Sequence, residues 1–267
     1  MKTVLKRNLP TSFWSLLGRT YDSIRRLPEL PSASLHPWRR SSIRNLAALQ
    51  DVHKGERCFI IGNGPSLREL DLGKLRNEKT FGMNRIYLLF PELGFSTTYF
   101  VSINDLVIQQ CAADIRTLTI PKFLAWRAHP FIQPTPDMNF LYTTYTGPKF
   151  SRNACGRLWE GATVTYVALQ LAFHMGFQEV ILIGVDHNFV SKGGPNQTVI
   201  STGDDPDHFN PGYFGKGFKW QLPDLQTSEI AYRLAQANFE QAGRQVLDAT
   251  RGGKLTVFPK VDYDALF

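Results

Sequence analysis

The chain has 267 residues, of which 43% are apolar and 20% charged, and these are ordinary values for a globular protein with a sizeable core. Its net charge of +7 arises in residues 1–57, which contain 11 Lys and Arg against 4 Asp and Glu, whereas the rest of the chain contains 19 of each. A uniformly basic nucleic-acid-binding protein is therefore excluded, and no nucleic-acid partner is expected. No apolar run reaches the roughly 18 residues of a membrane span.

The N-terminal segment has the pattern of a basic amphipathic helix. Apolar residues recur at helical spacing over residues 11–27, and arginines occupy other positions. Such a helix can lie on an anionic membrane surface, or it can pack on the body of the protein or on a second subunit. Residues 28–40 are rich in Pro and Ser and indicate a linker. We therefore predict an N-terminal extension and linker over 1–54 and a single domain over 55–267.

From residue 56 onward, predicted strands and helices alternate. Strands are predicted at 57–62, 79–84, 97–103, 117–124, 139–144, 179–185 and 245–249. The clearest helices are predicted at 162–175 and 226–242. This alternation predicts an α/β fold with a mostly parallel sheet that helices cover on both faces. A long segment rich in Gly, Pro and Asp, residues 191–224, is typical of a lid over a binding site.

The most informative stretch is a glycine-rich turn that follows the first predicted strand and precedes a helix-like segment. Its residues are Gly62, Asn63, Gly64, Pro65 and Ser66. Glycines let the backbone approach an anion, and the first N–H groups of a helix point at it, so the turn predicts a nucleotide phosphate site. A tight turn without a ligand is the alternative. The pattern is neither a Walker loop nor GxGxxG, which argues against a nicotinamide or flavin cofactor.

Polar residues also follow three other predicted strands, at the sheet edge where open α/β sheets bind ligands. They are Asn84, then Ser102, Asn104 and Asp105, then Asp186 and His187. Each amide can hold a base or a sugar, or it can cap a turn or helix. Asp186 can orient a ribose, bind a metal or hold a loop, and His187 can be catalytic or structural.

The predicted lid carries further candidates. Histidine titrates near neutral pH, which suits His208 to take a proton from a sugar hydroxyl. Tyr213 and Lys216 can neutralise a departing phosphate. Asp205 and Asp207 form an Asp-x-Asp pair that can carry a divalent metal or lie in a solvated loop.

In their order along the chain, these motifs resemble two related groups of proteins. The resemblance is carried by residues 60–67 (Ile-Ile-Gly-Asn-Gly-Pro-Ser-Leu), Asn84, residues 161–163 (Gly-Ala-Thr) and residues 176–186 (Gly-Phe-Gln-Glu-Val-Ile-Leu-Ile-Gly-Val-Asp). One group is the bacterial lipooligosaccharide sialyltransferases, with the nonulosonic-acid-transferring flagellin glycosyltransferases nearby. The other is the 6-hydroxymethylpterin diphosphokinase MptE-like domain family. The resemblance spans roughly residues 55–260 and is strongest at the glycine turn and at the strand before Asp186.

The sialyltransferase resemblance implies a Rossmann-like nucleotide domain, a CMP-sialic acid donor and inverting transfer with a histidine base, without a required cofactor. It places His208 and Tyr213 in the segment that holds the base and the phosphate-binding tyrosines, although the family has tyrosine where His187 or Asn188 stands. The other residues that it implies are Asn63, Gly64 and Ser66 for the donor phosphate and ribose, Asn84 and Asn104 for the cytidine and sugar, and Thr163 near the sugar carboxylate.

The diphosphokinase resemblance implies ATP, magnesium and transfer of diphosphate to 6-hydroxymethyl-dihydropterin. Magnesium prefers carboxylate oxygens, and the candidate ligands are Asp105, Asp186, Asp205 and Asp207. If the protein is instead a glycosyltransferase, we expect no metal site.

The leading hypothesis from the sequence is a glycosyltransferase of cell-surface polysaccharide or lipooligosaccharide biosynthesis. It would transfer a sialic-acid-like sugar from a CMP- or other nucleotide-activated donor to a glycan or glycolipid acceptor. The diphosphokinase and a non-catalytic nucleotide-binding accessory protein are the alternatives. We expect a cytoplasmic protein that associates with the inner face of the membrane through residues 11–27 and that can form a homo-oligomer.

Overall fold

The computed structural model describes residues 29–145, 147–191 and 193–267, together with Thr20 and Ile24. Apart from those two positions, the predicted amphipathic helix at 11–27 lies outside the described residues, so its membrane or packing role stays a prediction. Within the described ranges, no helix combines the length and the apolar character that crossing a membrane requires.

A parallel sheet of eight strands forms the centre of the protein, and a separate antiparallel pair accompanies it. The strands are β1 (Arg57–Ile61), β2 (Thr80–Met83), β3 (Tyr99–Ser102), β4 (Lys122–Ala125), β5 (Met138–Thr144), β6 (Arg157–Trp159), β7 (Glu179–Ile183), β8 (Thr198–Ile200), β9 (Lys219–Gln221) and β10 (Gln245–Asp248). The order across the large sheet is β10-β7-β1-β2-β3-β4-β5-β6, and every pairing in it is parallel. The antiparallel pair is β8 with β9.

Helices cover both faces of the sheet. They are α1 (Glu29–Leu35), α2 (Pro37–Ala48), α3 (Phe90–Leu93), α4 (Asp105–Gln110), α5 (Ala112–Thr117), α6 (Val164–His174) and α7 (Leu225–Gln241). Alternate residues of β1 enter two different apolar cores: Cys58 and Ile60 pack in the core of α6 and α7, whereas Phe59 and Ile61 pack in the core on the opposite face. The predicted Rossmann-like α/β fold with a mostly parallel sheet is confirmed.

The predicted linker over residues 28–40 is wrong from residue 29 onward, because α1 and α2 occupy it. Proline is compatible with the first turn of a helix, since its missing N–H would have no helical partner there. Pro37 begins α2 in this way, and the His36 side chain caps it by accepting from the Trp38 N–H at 3.2 Å. Helix α2 then packs on β5, where Ser42 Oγ accepts from the Phe140 N–H at 2.9 Å. The domain boundary at residue 54 stays a prediction.

Two further segments differ from the predicted elements. The predicted strand over 117–124 is helical at its start, since α5 ends at Thr117 and β4 begins only at Lys122. The helix-like segment after the glycine turn is a 3-10 helix of only five residues, Pro65–Glu69. The predicted helices at 162–175 and 226–242 match α6 and α7 to within two residues.

Candidate functional site

A cavity of about 550 Å³ lies at the carboxyl ends of the strands. It is bounded by the glycine turn, by the N-termini of α6 and α7, and by parts of the 191–224 segment. The predicted site residues that line it are Gly62, Asn63, Gly64, Asn84, Asn104, Thr163, Asp186, His187, Asp207 and His208. Those that do not line it are Pro65, Ser66, Ser102, Asp105, Asp205, Tyr213 and Lys216.

The glycine turn after β1 packs against the end of β7, backbone to backbone. The Gly62 N–H donates to the Ile183 carbonyl at 2.7 Å, and the Gly64 N–H donates to the Gly184 carbonyl at 2.9 Å. A Cβ on Gly62 would lie 2.1 Å from the Gly184 oxygen, and one on Gly64 would lie 1.7 Å from Asp186 Oδ2. A side chain at position 62 would overlap the Gly184 backbone, and a side chain at position 64 would overlap the Asp186 carboxylate, so this packing requires glycine at both.

Asp186 closes the same turn from the β7 side. Its carboxylate accepts from the Ser66 N–H at 3.1 Å and from Ser66 Oγ at 2.8 Å. Burial raises the pKa of Asp186, and the bonds from Ser66 oppose that rise. From the sequence, Ser66 is placed to cap the helix or to bind phosphate; in the structure its N–H and hydroxyl are used within the turn.

Asn63 offers an unused acceptor to the cavity. Its Oδ1 is buried and has no hydrogen-bond partner in the part of the chain that the structure describes, which is rare for a buried polar atom and points to a missing ligand group. The Asn63 carbonyl accepts from the Phe209 N–H at 2.8 Å and so joins the turn to the 191–224 segment.

Asn84 is held in one orientation at the end of β2. Its φ of 51° lies in the left-handed region, which asparagine tolerates better than most residues. Its N–H donates to the Val101 carbonyl at 3.0 Å, and its Oδ1 accepts from Ser102 Oγ at 3.0 Å. Ser102 is fully buried, and its hydroxyl holds the Asn84 side chain in place.

Asn104 and Thr163 both serve as helix caps at the cavity wall. The Asn104 Oδ1 accepts from two backbone N–H groups in the first turn of α4, and its Nδ2 donates to Gln221 Oε1 at 3.2 Å on β9. The Thr163 Oγ1 accepts from the Thr165 N–H at 3.3 Å and lies 3.4 Å from the Tyr232 hydroxyl oxygen. Asn104 is therefore a helix cap, which is one of the two roles that the sequence offers for it.

His208 is held by Asp205 at the cavity wall. The Nδ1 atom of His208 lies 2.8 Å from Asp205 Oδ2, and the same oxygen accepts from the Phe214 N–H at 3.1 Å. The Tyr213 ring stacks on the imidazole, with centroids 4.0 Å apart and an interplanar angle of 6°. Tyr213 is fully buried, and this burial raises its pKa. Its ring therefore supports the His208 imidazole by stacking on it. Lys216 is exposed outside the cavity.

His187 lines the cavity from the end of β7. Its φ of 52° is in the left-handed region, and its Nε2 lies 3.3 Å from Glu229 Oε1 on α7. Glu229 also accepts from Arg233 at 3.1 Å, so the imidazole is tied to an ion pair on the surface of the helix.

The aspartates that the sequence offers for magnesium are not brought together. Asp207 accepts from the Val190 N–H at 2.6 Å and from Ser191 Oγ at 2.5 Å, while Asp205 and Asp186 accept as described above and Asp105 pairs with an arginine. Across the described ranges, no three His, Cys, Asp or Glu side chains form a group that could hold a metal ion. These four aspartates therefore do not form a magnesium site among the described residues, because magnesium needs several oxygen ligands around one point.

The sequence did not predict a second group of cavity residues, which follow the three outermost strands. Arg127 comes after β4, Tyr145 after β5 and Glu160 after β6. Burial disfavours the charged form of Arg127 and by itself would lower its pKa. The electrostatic interactions with Glu160, Tyr145 and Asp105 outweigh this effect, so the pKa of Arg127 is raised. No short motif links these residues. The sequence feature that could have identified them is that each follows an apolar or aromatic stretch at the same sheet edge as the predicted site.

Comparison with known proteins decides the family. A family model described as "6-hydroxymethylpterin diphosphokinase MptE-like" matches residues 37–192, more than half of the chain. The chain belongs to the MptE-like family. The range matched by the MptE-like model contains the glycine turn, Asn84, Thr163 and Asp186, whereas His208 lies beyond it. No curated protein matches the chain.

Solved structures similar to this MptE-like chain include two transferases. The MAf glycosyltransferase from Magnetospirillum magneticum AMB-1 is 13% identical, with a TM-score of 0.51 over 85% of this chain and 39% of that one. A mammalian sialyltransferase in complex with Gal-beta-1-3GalNAc-ortho-nitrophenol is 12% identical, with a TM-score of 0.38 over 82% of this chain and 80% of that one. The MptE-like chain thus spans about two fifths of the MAf protein, and the similarity to MAf shows a shared fold.

Proposed function

We propose that this protein is a glycosyltransferase that transfers a sialic-acid-like sugar from a CMP-activated donor to a glycan acceptor of cell-surface polysaccharide biosynthesis. The observation that carries the proposal is the Asp205–His208 pair. A histidine oriented by a buried carboxylate lines the same cavity as a glycine turn at the strand ends. This arrangement suits general base catalysis beside a bound nucleotide.

The chemistry follows from the tautomer of His208. When Asp205 accepts the Nδ1 proton, Nε2 keeps its lone pair and can remove the proton of an acceptor hydroxyl. The hydroxyl oxygen attacks the anomeric carbon as the bond between that carbon and the donor phosphate oxygen breaks. CMP leaves with the bonding electrons, and His208 keeps the acceptor proton until solvent takes it.

The charge of the cavity favours a nucleotide sugar over ATP. Among the cavity-lining residues that the structure describes, Arg127 is the sole Lys or Arg, and Asp105 and Glu160 pair with it. ATP carries more negative charge than a nucleotide sugar, and enzymes neutralise that charge with cations or magnesium. The neutral side chains of Asn63, Asn84 and Thr163 are better matched to a nucleotide sugar.

The diphosphokinase alternative is less well supported. Diphosphoryl transfer from ATP depends on magnesium between the phosphates, and the candidate aspartates do not come together as a metal site among the described residues. The third alternative, a nucleotide-binding accessory protein, predicts binding without turnover.

Calorimetric titration with CMP, UDP, GDP and ATP, each with and without magnesium, tests the donor. We expect CMP to bind without magnesium. If ATP binds only with magnesium and no cytidine nucleotide binds, the glycosyltransferase proposal fails and the diphosphokinase alternative is favoured. A glycan acceptor screen with a CMP-activated nonulosonic acid then separates the enzyme from the accessory protein, since only the enzyme releases CMP in step with glycosylation.

We also propose that the basic segment 11–27 brings the enzyme to a lipid-linked acceptor at the inner face of the membrane. The excess of positive charge in residues 1–57 supports this, because anionic lipids attract basic segments. Deleting residues 1–28 should abolish sedimentation with phosphatidylglycerol vesicles and leave CMP affinity unchanged. A change of oligomeric state with unaltered vesicle binding would assign the segment to subunit packing instead.

A further inference from the structure

Arg127 uses every one of its hydrogen-bond donors inside the protein. Its Nε donates to Asp105 Oδ2 at 2.8 Å. Its two Nη groups donate to Thr143 Oγ1 at 2.8 Å, to the Ile103 carbonyl at 2.6 Å and to both oxygens of Glu160. A guanidinium has five N–H groups, so these five bonds leave none for a substrate. Although Arg127 lines the cavity, it cannot clamp a phosphate or a carboxylate there.

The charge around Arg127 also disfavours an anion. Asp105 and Glu160 together carry two negative charges against the one positive charge of the arginine. The side chains of Arg127 and Glu160 are 13% and 5% exposed, so solvent screens this imbalance only weakly. A carboxylate oxygen has more than one lone pair, and each oxygen of Glu160 can still accept from a ligand hydroxyl after it accepts from Arg127.

Tyr145 adds an aromatic surface beside this carboxylate. The Arg127 guanidinium covers one face of its ring, 4.5 Å from the centroid, yet Tyr145 remains 54% exposed. The Trp159 indole N–H donates to the Tyr145 carbonyl at 2.9 Å and fixes the backbone that carries the ring. An exposed aromatic side chain next to a buried carboxylate offers stacking and hydrogen-bond acceptance together, and little attraction for negative charge.

This end of the cavity is separate from the glycine turn. Arg127, Tyr145 and Glu160 follow β4, β5 and β6, whereas the glycine turn follows β1 and packs on β7. Strands β1 and β5 are four positions apart in the sheet, which corresponds to about 19 Å at the usual strand spacing. A ligand beside Tyr145 can therefore occupy the cavity together with a nucleotide at the turn.

We propose that Tyr145 and Glu160 form the acceptor subsite, and that it takes an uncharged, polyhydroxylated sugar. The apolar face of the sugar lies on the Tyr145 ring and its hydroxyls donate to Glu160, while Arg127 is a positioning residue that holds both. The assignment of the bound sugar as the acceptor rests on the proposed glycosyltransferase function. The binding chemistry itself stands on the residues alone.

Saturation-transfer NMR of the full-length protein tests the binding chemistry without turnover. The probes are the methyl glycosides of glucose and galactose, each paired with the corresponding methyl uronide, which differs only by a carboxylate. We expect signals from the neutral glycosides and much weaker signals from the uronides. Signals of equal or greater strength from the uronides would overturn the inference.

Substitution of Tyr145 tests the stacking surface, and its exposure makes misfolding a minor concern. Tyr145→Ala should weaken neutral glycoside binding about tenfold, whereas Tyr145→Phe, which keeps the ring, should stay within about twofold of the wild type. CMP affinity by calorimetry should be unchanged in both. Unaltered glycoside binding in Tyr145→Ala would overturn the subsite. If no cytidine nucleotide binds the wild type but the glycoside pattern holds, the proposed function fails and the sugar site stands.

Discussion

Asp186 accepts two hydrogen bonds from Ser66, one from its backbone N–H at 3.1 Å and one from its hydroxyl at 2.8 Å. Since Ser66 follows β1 and Asp186 follows β7, this pair joins the ends of two adjacent central strands. It also brings Asp186 Oδ2 to within 1.7 Å of the place where a Cβ on Gly64 would lie. The turn is therefore closed by polar contacts as well as by backbone packing.

Gly64→Ala should disrupt this closure. The added methyl group would overlap the Asp186 carboxylate and approach the Gly184 carbonyl to 2.9 Å, so either Asp186 must leave Ser66 or the strand ends must separate. We expect a loss of about 1–3 kcal/mol in the free energy of unfolding, measured in urea, together with weaker CMP binding. Gly203→Ala is the matched control, because a Cβ at Gly203 would meet no atom within 4 Å. Equal effects of the two substitutions would contradict the packing described for the turn.

The raised pKa of Asp186 should appear in the pH dependence of stability. Burial is the main cause of the rise, so the folded state favours the protonated carboxyl more than the unfolded state does. The resulting stabilisation is fully present below the unfolded value of about 3.9 and is lost as the pH rises through the folded pKa. Asp186→Asn cannot ionise, so the stability of the variant relative to the wild type should increase over that window. A constant difference between the two proteins from pH 4 to pH 7 would be inconsistent with a raised pKa.

His208→Ala should remove the proposed general base. General base catalysis typically contributes 10²- to 10⁴-fold, and we expect kcat for sugar transfer to fall by about that factor. CMP affinity should change less than twofold, since the hydrogen bond that joins this segment to the glycine turn comes from the Phe209 backbone N–H and not from the His208 side chain. Lys216→Ala is the control within the same segment, because Lys216 is exposed and outside the cavity. A comparable loss in Lys216→Ala would move the chemistry away from His208.

Arg39→Met should leave stability unchanged or increase it. Arg39 is 1% exposed. Its Nε and Nη1 have no partner among the described residues, while Nη2 donates to the Cys155 carbonyl at 2.8 Å. Burial lowers its pKa, which reflects the cost of its charge. Replacing it with an apolar side chain of similar length should stabilise the protein by up to about 2 kcal/mol in a urea titration. The exposed Arg40→Met serves as reference, with an expected change within about 0.5 kcal/mol. A clear loss of stability in Arg39→Met alone would show that the guanidinium has a partner of its own.

The sheet could be predicted from the sequence wherever a strand is an apolar run of four or more residues. Val180 to Ile183, for example, is buried on both faces and has the continuous apolar pattern of a central parallel strand. Strands β6, β8 and β9 have only three residues each, and so short a run carries no period. Helix α1 was missed because Pro31, Ser32 and Ser34 suggest a linker, and only tertiary packing makes this stretch helical.

Part of the proposed nucleotide site at the glycine turn could be predicted from the sequence. Gly62, Asn63 and Asn84 follow strands directly, so chain order alone places them at one edge of the sheet. The partners of these residues could not be predicted, because the pairing of Ser66 with Asp186 joins positions 120 residues apart. The Arg127–Glu160 pair was missed for the same reason, since it forms only once β4, β5 and β6 lie side by side.

The place of β1 between β2 and β7 has a consequence for synthesis of the chain. When a ribosome has released β1 to β6, one edge of β1 is still unpaired, and its buried residues have no neighbour on that side. Only after β7 emerges can the two halves of the sheet join, and a contact of such long range is slow to form. Completion of the glycine turn should thus come late in folding, and nascent chains that stop short of residue 186 should be prone to aggregate and to engage chaperones.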